Sequence, residues 1–493
     1  MVQLLPEKVS IIGSGIGGLS TAIILAQLGV EVTVLEKNTR PGGLMRSYDR
    51  KGLACEVGVH YLGSLDKDQV LRKFFDYLGV SDAIAVDRMG ENGVIDRYLF
   101  DSAGGQRTSF DLPSGLGAFS ESLYRTFPDD KAAISAIMRA IGRASDQLHG
   151  LDLLYAADND FSLLDQAEPF GKILDDLGCP PGLRRVLAIA ANWVGVPLDD
   201  CPGYYHNMAL ASYVASSYRL KGCGADMANA FIRRLKALGG TIITNASVEK
   251  ICVDSRKVTG LRLQSGETLA ATTVIGAIHP QVLLKMLPEK AVKPSYRNRI
   301  RGLANTHGIF SVHAAVASNV HPAIPYNIFK VDTEESGNVI DLRYFQVRSS
   351  RNPEKNVLSI LTSGQDELWA PWKNTITGRR GRDYQSVKEE LAQSLLKEAG
   401  AVLGPLGNAE LLDAYTPLTL RDWVNSPGGS AYGVLRSSSQ ILGTALLNRT
   451  AVKGLYLAGQ NVMAPGIIGT IMGSFSTVKL MLGPGEFKKR IQL

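Results

Sequence analysis

The amino-terminal segment alternates between short apolar runs and a glycine-rich turn. Val9 to Ile12 (VSII) is β-branched, which predicts a strand buried on both faces. The turn Gly13-Ser14-Gly15-Ile16-Gly17-Gly18 follows, and Leu19 to Leu28 has the small and aliphatic side chains of a buried helix. Glu31 to Leu35 (EVTVL) predicts a second strand, which ends at Glu36. The pattern therefore predicts one compact βαβ unit.

The glycine turn of this unit has the residues that a dinucleotide requires. Gly13 permits a tight turn, Gly15 lets the backbone approach a pyrophosphate, and Gly18 lets the helix pack on the strand. Gly17 belongs to the same predicted site. The helix amino terminus offers free N–H groups and a positive dipole end to phosphates. Glu36 stands where a carboxylate accepts hydrogen bonds from a ribose and repels a 2′-phosphate. The unit alone leaves both NAD and FAD open.

The residues after the acid narrow the choice of nucleotide. They read Lys37-Asn38-Thr39-Arg40-Pro41-Gly42-Gly43. An acid followed by paired glycines resembles the flavoprotein superfamily of amine oxidases, protoporphyrinogen oxidases, phytoene desaturases and Rab-escort-like proteins. The resemblance implies FAD, with Gly42 and Gly43 beside its pyrophosphate, Arg46 neutralising that charge and Lys37 in the same site.

The carboxyl-terminal segment has a second glycine-rich junction. Gly454 to Asn461 predicts a buried strand ending in a glycine and a polar pair, and Phe475 to Leu482 is apolar and helix-like. In the superfamily this junction lies against the isoalloxazine, where a helix amino terminus stabilises negative charge at N1–C2=O. An ordinary last βα unit is the alternative for this segment alone. The predicted FAD contacts here are Gly459, Gln460, Asn461, Gly469 and Thr470.

The middle of the chain adds a third piece of the predicted FAD domain. Gly222 to Gly240 predicts a loop and an amphipathic helix, and Thr241 to Ile251 a strand, a polar turn and a strand. Val258 to Leu263 and Thr268 to Ile275 predict a further hairpin, with Ser265-Gly266 at its turn. In the superfamily the residue matching Val248 contacts the adenine through its backbone.

These segments predict a discontinuous architecture. The fold class is α/β: a Rossmann-like FAD-binding domain from residues 1–75, 218–285 and 446–493, and an α+β substrate domain with a helical cap from 76–217 and 286–445. A second GxGxxG is absent from the sequence, so no dedicated NAD(P)H domain is predicted. Within the substrate domain the patterns predict helices at Lys131–His149, Leu183–Asn192 and Ser386–Leu403 and strands at Gly308–Val316 and Val357–Leu361.

One segment indicates the branch of the superfamily. Cys55 to Gly63 (CEVGVHYLG) resembles the D-x-G-x-H-Y-x-G segment of retinol saturases and carotenoid isomerase-like proteins, with Glu56 where the family commonly has Asp. Phytoene desaturases proper usually carry D-x-G-P-T here. Tyr415 to Thr419 and Ser426 to Gly433 resemble the branch's TPLT and G-x-x-Y-G segments. Asn461 replaces the branch's Asp, and the resemblance covers nearly the whole chain.

The resemblance implies redox chemistry at C=C bonds of a hydrophobic polyene, such as a carotenoid, a retinoid or a polyketide macrolactam of secondary metabolism. Reduction, desaturation, isomerisation and reductive cyclisation all stay open, as does NAD(P)H as a transient electron donor. Gly58, His60 and Tyr61 are expected to border the reacting face, with Tyr432 as a further candidate. His60 either donates a hydrogen bond or proton there or is a structural histidine that shapes the pocket.

Two other classes share this fold. An amine oxidase needs an aromatic cage, and none is identified near Tyr456; an escort-type binding protein is disfavoured by Glu36 and the carboxyl-terminal glycines. Tyr204 and Tyr205 are expected to be packed aromatics more than pocket residues. The remaining histidines lack ligand spacing, and no metal site is predicted: His206, His279, His307, His313 and His321.

Composition limits the partners and the compartment. The chain has 493 residues, 45% of them hydrophobic, and a net charge of +6 without a dense Lys/Arg stripe, which disfavours nucleic acid. The five scattered cysteines favour a reducing compartment. The amino terminus lacks a signal-peptide pattern, so a cytoplasmic protein is expected, with peripheral membrane contact permitted. Leu183 to Ala190 is expected to be a core helix more than a membrane-surface helix. The oligomeric state is left open.

Overall fold

The computed structural model describes residues 5–101, 107–156 and 166–493. The parts of the predicted domains at residues 1–4, 102–106 and 157–165 lie outside the described residues. The strands are β1 Lys8–Ile12, β2 Glu31–Leu35, β3 Ser47–Arg50, β4 Leu53–Glu56, β5 Leu62–Gly63, β6 Val86–Arg88, β7 Asp96–Asp101, β8 Arg107–Leu112, β9 Ser217–Leu220, β10 Thr241–Ile243, β11 Val248–Asp254, β12 Lys257–Leu263, β13 Thr268–Ala270, β14 Val274–Gly276, β15 Ile309–Ala317, β16 Asn327–Thr333, β17 Val339–Ser349, β18 Lys355–Ser363, β19 Glu410–Tyr415 and β20 Leu455–Leu457. The α-helices are α1 Ile16–Gln27, α2 Val70–Leu78, α3 Leu116–Thr126, α4 Lys131–His149, α5 Asp152–Tyr155, α6 Phe170–Asp176, α7 Pro181–Trp193, α8 Gly203–Ala215, α9 Gly224–Ala237, α10 Pro280–Met286, α11 Pro294–Arg301, α12 Gly381–Leu403, α13 Pro417–Val424, α14 Ile441–Thr444, α15 Gly466–Leu482 and α16 Pro484–Arg490.

A five-stranded parallel sheet in the order β10-β2-β1-β14-β20 joins three distant parts of the chain. Its central strand β1 places Ile12 opposite Leu35 of β2 and Gly276 of β14. Helices α1 and α15 pack together against this sheet, and their apolar side chains share one buried cluster. The predicted βαβ unit and the return of the carboxyl-terminal strand are confirmed. So is the α/β fold class.

The prediction for residues 268–275 is partly wrong. β13 pairs with β12 across a turn at Gly266, as expected, but β14 leaves the hairpin and pairs with β1 and β20. The segment reads TLAATTVI and contains no glycine, proline or other turn residue, so the pattern shows no break. The division arises because fully buried Val274 and Ile275 fill the centre of the parallel sheet, where burial of apolar side chains is most favourable.

The second large sheet has seven strands in the order β19-β15-β18-β17-β16-β7-β8. Its strands alternate strictly: Phe329 and Tyr344 face a cluster with α3, α4, α7 and α8, whereas their neighbours Ile328 and Phe345 face α12. The predicted helices within α4, α7 and α12 and the predicted strands within β15 and β18 are confirmed. Residues around the predicted 75/76 boundary, such as Phe74 and Leu78, pack in the cluster of the parallel sheet, and the domain boundaries stay predictions.

The sequence predicts a core position for helix α7 and a reduced state for the five cysteines. The apolar side chains of α7 are buried, and Arg184 on this helix forms an ion pair with Asp175 at 2.5 Å, so α7 is a core helix. All five cysteines lie within the described ranges and are free. Among the described residues no single helix is long and apolar enough to cross a bilayer; α15 and α16 would reach that length only as a pair bent by 118°.

Candidate functional site

Glycines from both ends of the chain meet where α1, β20 and α15 converge. A Cβ on Gly17 would lie 2.8 Å from Cα of Gly459 and 3.2 Å from the Thr470 methyl group. The Ser474 hydroxyl donates to the Gly17 carbonyl at 2.9 Å, which fixes α15 against the start of α1. Gly473 also contacts Gly459 closely enough that a Cβ would lie 2.3 Å from its carbonyl oxygen. The sequence therefore needs glycine here because three backbones touch.

The acid at the end of β2 is buried in a polar cradle. Glu36 is 6% exposed, and its Oε2 accepts from the Ser14 backbone N–H at 3.2 Å and from the Ser14 hydroxyl. Its Oε1 accepts from the backbone and side-chain nitrogens of Asn38 at 2.9 and 2.8 Å. The Ala246 N–H donates to the Glu36 carbonyl at 2.8 Å, which brings the start of β11, and with it Val248, beside the acid.

The paired glycines lie directly over the first turn. Gly43 has φ +55°, and a Cβ there would lie 2.8 Å from Cα of Gly15. Arg46 donates from Nε to the Gly43 carbonyl at 2.9 Å, so its guanidinium lies at the glycine pair. Lys37 has a different environment: its Nζ donates to the Asp422 carbonyl at 2.6 Å and to Asn425 Oδ1 at 2.7 Å. Its ammonium thus joins β2 to the end of α13.

The two polar residues after β20, Gln460 and Asn461, both contact the loop that follows Tyr432. Asn461 is buried, and its Oδ1 accepts from the Val434 N–H at 3.0 Å, which holds the loop after Tyr432 in place. A Cβ on Gly433 would lie 2.9 Å from Nε2 of Gln460, so both side chains lie against this loop. Gly469 is in the first turn of α15, and a Cβ there would lie 2.5 Å from Cβ of Ala464.

These features fit FAD. The amino terminus of α1 has no side-chain cap, and the nearest atom to a Cβ on Gly15 would be 3.9 Å away, which leaves its N–H groups open to an anion. The amino terminus of α15, which begins at Gly466 with φ +75°, has no side-chain cap either. Two uncapped helix starts, joined by close glycine contacts and flanked by a buried acid, match a dinucleotide at one end and a flavin ring at the other. Gly13 and Gly18 pack against each other in the same turn, and Gly42 lies against Arg46.

A cavity of about 1020 Å³ extends from the start of α15 to the seven-stranded sheet. Gly58, Gly466 and Gly469 line its inner part. The walls are mainly apolar and aromatic, as in sites for hydrophobic small molecules. The aromatic residues that line it are Tyr61, Trp193, Tyr204, Tyr205, Tyr213, Phe329, Tyr344 and Tyr432.

His60 lies in the cavity wall without a polar partner for its ring. Within the described part of the chain, neither ring nitrogen has a hydrogen-bond partner, and the ring contacts Tyr344 edge-on at 5.6 Å between centroids. Its backbone carbonyl accepts from Gln346 Nε2 at 3.1 Å. Burial, together with the nearby His313 and Arg348, lowers the pKa of His60 to about 3. The imidazole is therefore neutral at physiological pH: it can donate a hydrogen bond but stores no extra proton.

Tyr61 lines the cavity and contacts a buried polar network through Tyr213. Its ring packs against that of Tyr213, with centroids 4.7 Å apart. The Tyr213 hydroxyl donates to Oδ1 of Asp96 at 2.7 Å, and Asn327 Nδ2 donates to the same oxygen at 2.9 Å. Arg219 reaches the network through Nη2, which donates to Asn327 Oδ1 at 2.7 Å.

The structure thus brings Gly58, His60, Tyr61 and Tyr432 to one cavity. Tyr204 and Tyr205, expected to be packed aromatics more than pocket residues, pack in one buried cluster and also line this cavity. Sequence reasoning missed Trp193 and Arg436, since no motif marks either. No group of three or more His, Cys, Asp or Glu side chains within the described ranges is placed to hold a metal ion.

The chain matches the family described as "Flavin containing amine oxidoreductase" over residues 16–474. It belongs to this family and is a flavin-dependent oxidoreductase with a flavin cofactor. Within the family, the relatives below support the branch of phytoene desaturase-, carotenoid isomerase- and retinol saturase-like proteins.

Three comparisons are representative. The chain is 24% identical to human all-trans-retinol 13,14-reductase over 95% of this chain and 85% of the relative. It is 26% identical to the chloroplastic prolycopene isomerase of *Daucus carota* over 95% of this chain and 78% of the relative. The solved structure of an oxidoreductase from *Methanosarcina mazei* matches with a TM-score of 0.66 at 15% identity, covering 96% of this chain and all of that one. At that identity the structural match shows the fold alone.

Proposed function

We propose that this protein is an FAD-dependent oxidoreductase that acts on a C=C bond of a hydrophobic polyene. The observation that carries the proposal is the aromatic cavity of about 1020 Å³ that opens onto the start of α15. Its volume is at the upper end of the range of about 300–1,000 Å³ for ligand pockets. The relatives' names support the substrate class, since one reduces a retinol and another isomerises a carotene.

The residues of the cavity have defined tasks in this proposal. Bound FAD supplies hydride transfer at carbon. Trp193, Phe329 and Tyr344 hold an apolar chain and exclude water, because they cover the cavity with large rings. His60 and Tyr61 lie at the same wall as Gly58, where a neutral imidazole and a phenol can orient one end of the reacting double bond. NAD(P)H is proposed as a transient electron donor.

An amine substrate fits this cavity poorly. The described residues that line it include the cations Arg436 and Arg449 and the acidic Asp341, and the positive charge of the two arginines repels an ammonium group. Asp341 is already paired with Arg343 at 2.6 Å. Tyr456 does not line the cavity. These charges favour the polyene over an amine.

Anaerobic flavin titration tests the proposal. The purified protein is expected to be yellow, and its flavin to be reduced by NADPH or NADH without oxygen. Addition of all-trans-retinol or a carotenoid should then restore the oxidised flavin spectrum if a double bond is reduced, whereas isomerisation leaves the flavin reduced. Saturation and reductive cyclisation each add two hydrogens and an isomer keeps the mass of its substrate, so the products are distinguished by chromatography and absorption spectra together with mass. A colourless protein that takes up no added FAD would refute the flavin assignment. Reoxidation by oxygen alone would make the protein an oxidase.

A matched pair of variants separates the cavity from the flavin site. Ala209 on α8 lines the cavity, whereas Ala132 on α4 is exposed. Ala209→Trp should fill the cavity and abolish reoxidation by the polyene, while leaving the flavin content and its reoxidation by oxygen unchanged. Ala132→Trp should behave as wild type. If Ala209→Trp still reacts with polyenes at the wild-type rate, the substrate binds elsewhere.

A further inference from the structure

Arg436 is a cation in the cavity wall that uses only part of its hydrogen-bonding capacity. Its Nη1 donates to the Thr444 carbonyl at 3.3 Å, and its Nη2 donates to the Asn461 carbonyl. Nε is buried and has no hydrogen-bond partner within the described part of the chain. A guanidinium has five N–H donors, so at least Nε–H remains unused.

No acidic side chain in the described ranges forms an ion pair with Arg436. Among the described residues that line the cavity, the one acidic side chain is Asp341, which pairs with Arg343 instead. Burial lowers the pKa of Arg436, and its resolved electrostatic partners are the phenols of Tyr204 and Tyr205. Those phenols are neutral, because burial raises the pKa of each. Arg436 is half-buried, with its Nε fully buried. Desolvating a cation without a counter-charge is costly to a fold, so a role in binding explains its presence better than a role in stability.

A second unpartnered donor lies near enough to the guanidinium for the two groups to interact electrostatically. Tyr205 is 8% exposed, and its hydroxyl also lacks a hydrogen-bond partner within the described residues. Tyr205, Tyr204 and Arg436 all line the cavity. A cation and a hydroxyl, both unsatisfied and surrounded by aromatic walls, are the donors that a carboxylate or another anionic oxygen group requires.

We infer that Arg436 and Tyr205 form a subsite for an anionic oxygen group at one end of an otherwise apolar substrate. This inference rests on the proposed function and specifies its substrate class: an amphiphile with an acidic head, such as a carboxylate or an enolate, and an unsaturated apolar chain. The chain occupies the aromatic part of the cavity, and the head binds at the guanidinium. Neutral polyenes and hydrocarbons of the same length leave the two donors unsatisfied and bind more weakly.

A pair of ligands with one carbon skeleton tests the subsite. All-trans-retinoic acid and all-trans-retinol differ in the charge of the head group, and both absorb in the range of tryptophan emission. Trp193 lines the cavity and reports binding by quenching; a Trp193→Phe variant identifies its share of the signal. At pH 8 with bound FAD, the acid should bind about tenfold more tightly than the alcohol.

Variants assign this preference to the two residues. Arg436→Gln should weaken binding of the acid about tenfold and leave the alcohol unchanged, and Arg436→Lys should retain part of the preference. Arg449→Gln is the matched control, because Arg449 also lines the cavity but is exposed; it should change either affinity by less than about threefold. Tyr205→Phe removes one hydroxyl without touching the guanidinium contacts, and it should weaken only the acid.

Saturated ligands separate failure of the subsite from failure of the polyene proposal. Displacement of bound 11-(dansylamino)undecanoic acid, a fluorescent probe with a saturated chain, by palmitic acid and by hexadecanol measures the charge preference without a polyene. If palmitic acid competes far better than hexadecanol and Arg436→Gln abolishes the difference, the subsite holds even where no polyene reoxidises the flavin. Equal competition by both, or a preference that survives in Arg436→Gln and Tyr205→Phe, overturns it. The subsite is also overturned if Arg436→Gln shifts the midpoint potential of the flavin but leaves the preference for palmitic acid over hexadecanol unchanged. The charge of Arg436 would then act on the flavin.

Discussion

Asp96 is a buried carboxylate whose ionisation should limit the stability of the protein near neutral pH. It lies at the start of β7, is fully buried, and its Oδ2 has no partner within the described residues. Burial raises the pKa of Asp96 to about 7, and hydrogen bonds from Tyr213 and Asn327 and the charge of Arg219 offset only part of this effect. Replacement by asparagine keeps an oxygen for the two donors but cannot ionise.

The size of the effect follows from the two pKa values. In the unfolded chain an aspartate releases its proton near pH 4, whereas the folded protein retains it until about pH 7. The stabilising contribution of the protonated form is therefore complete below about pH 4 and is lost as the pH rises through about 7. About three pH units correspond to a loss of about 4 kcal/mol. For a chain of this length, that loss of unfolding free energy lowers the melting temperature by roughly 4 °C.

The assay compares melting temperatures of wild type and Asp96→Asn from pH 5 to pH 8.5 by fluorimetry. The part of this loss that falls within the assay runs from pH 5 to about 7, which is about two pH units or roughly 3 kcal/mol. Relative to wild type, Asp96→Asn should therefore gain roughly 3 °C across this range. Asp101→Asn, at the other end of β7, is the control: the hydrogen bond from Arg107 lowers the pKa of Asp101, so this difference should stay constant. A constant difference for Asp96→Asn, or a loss relative to wild type as the pH rises, would refute the reasoning.

Three further predictions concern the flavin cradle, the cavity histidine and the acid of the branch segment. Gly43→Ala should lose bound FAD, measured as the ratio of flavin to protein absorbance, because its Cβ would lie 2.8 Å from Cα of Gly15 and its φ is +55°. Gly29→Ala is the control: Gly29 has φ +86° but open space around it, so the variant should cost about 1 kcal/mol of backbone strain and retain FAD. Equal flavin loss in both would contradict this. His60→Asn should change the turnover rate without removing an inflection from the pH–rate profile between pH 5 and 8, since the pKa of His60 is about 3; disappearance of an inflection in that range would show that His60 titrates there. Glu56→Asp should destabilise the protein by about 1–3 kcal/mol in denaturant titrations, because the shorter side chain cannot reach both the Gly224 N–H, now at 3.0 Å, and Arg348, now at 3.2 Å. An unchanged midpoint would mean that the backbone adjusts to the shorter side chain.

The elements with a strong local pattern were predictable from the sequence. The βαβ unit is one example, since its β-branched strands and aliphatic helix depend on neighbours within about thirty residues. The two predicted strands within β15 and β18 and the predicted helices within α4, α7 and α12 follow for the same reason. Residues 268–275 show the limit: a continuous β pattern does not specify which sheet each half joins, because pairing depends on contacts with β1 and β20.

For the candidate site, the sequence by itself determined the glycines and the acid of the predicted FAD cradle. Their chemistry requires particular residue types at fixed spacing. Only the tertiary structure decided which side chains share the cavity. Tyr213 and Asp96 are 117 residues apart in the chain, yet they form one hydrogen bond. Arg436 is an ordinary surface-type residue in the sequence, and only the packing of its loop on Asn461 leaves it in the cavity wall without a counter-charge. Local patterns encode burial, but they do not encode which distant element covers a given face.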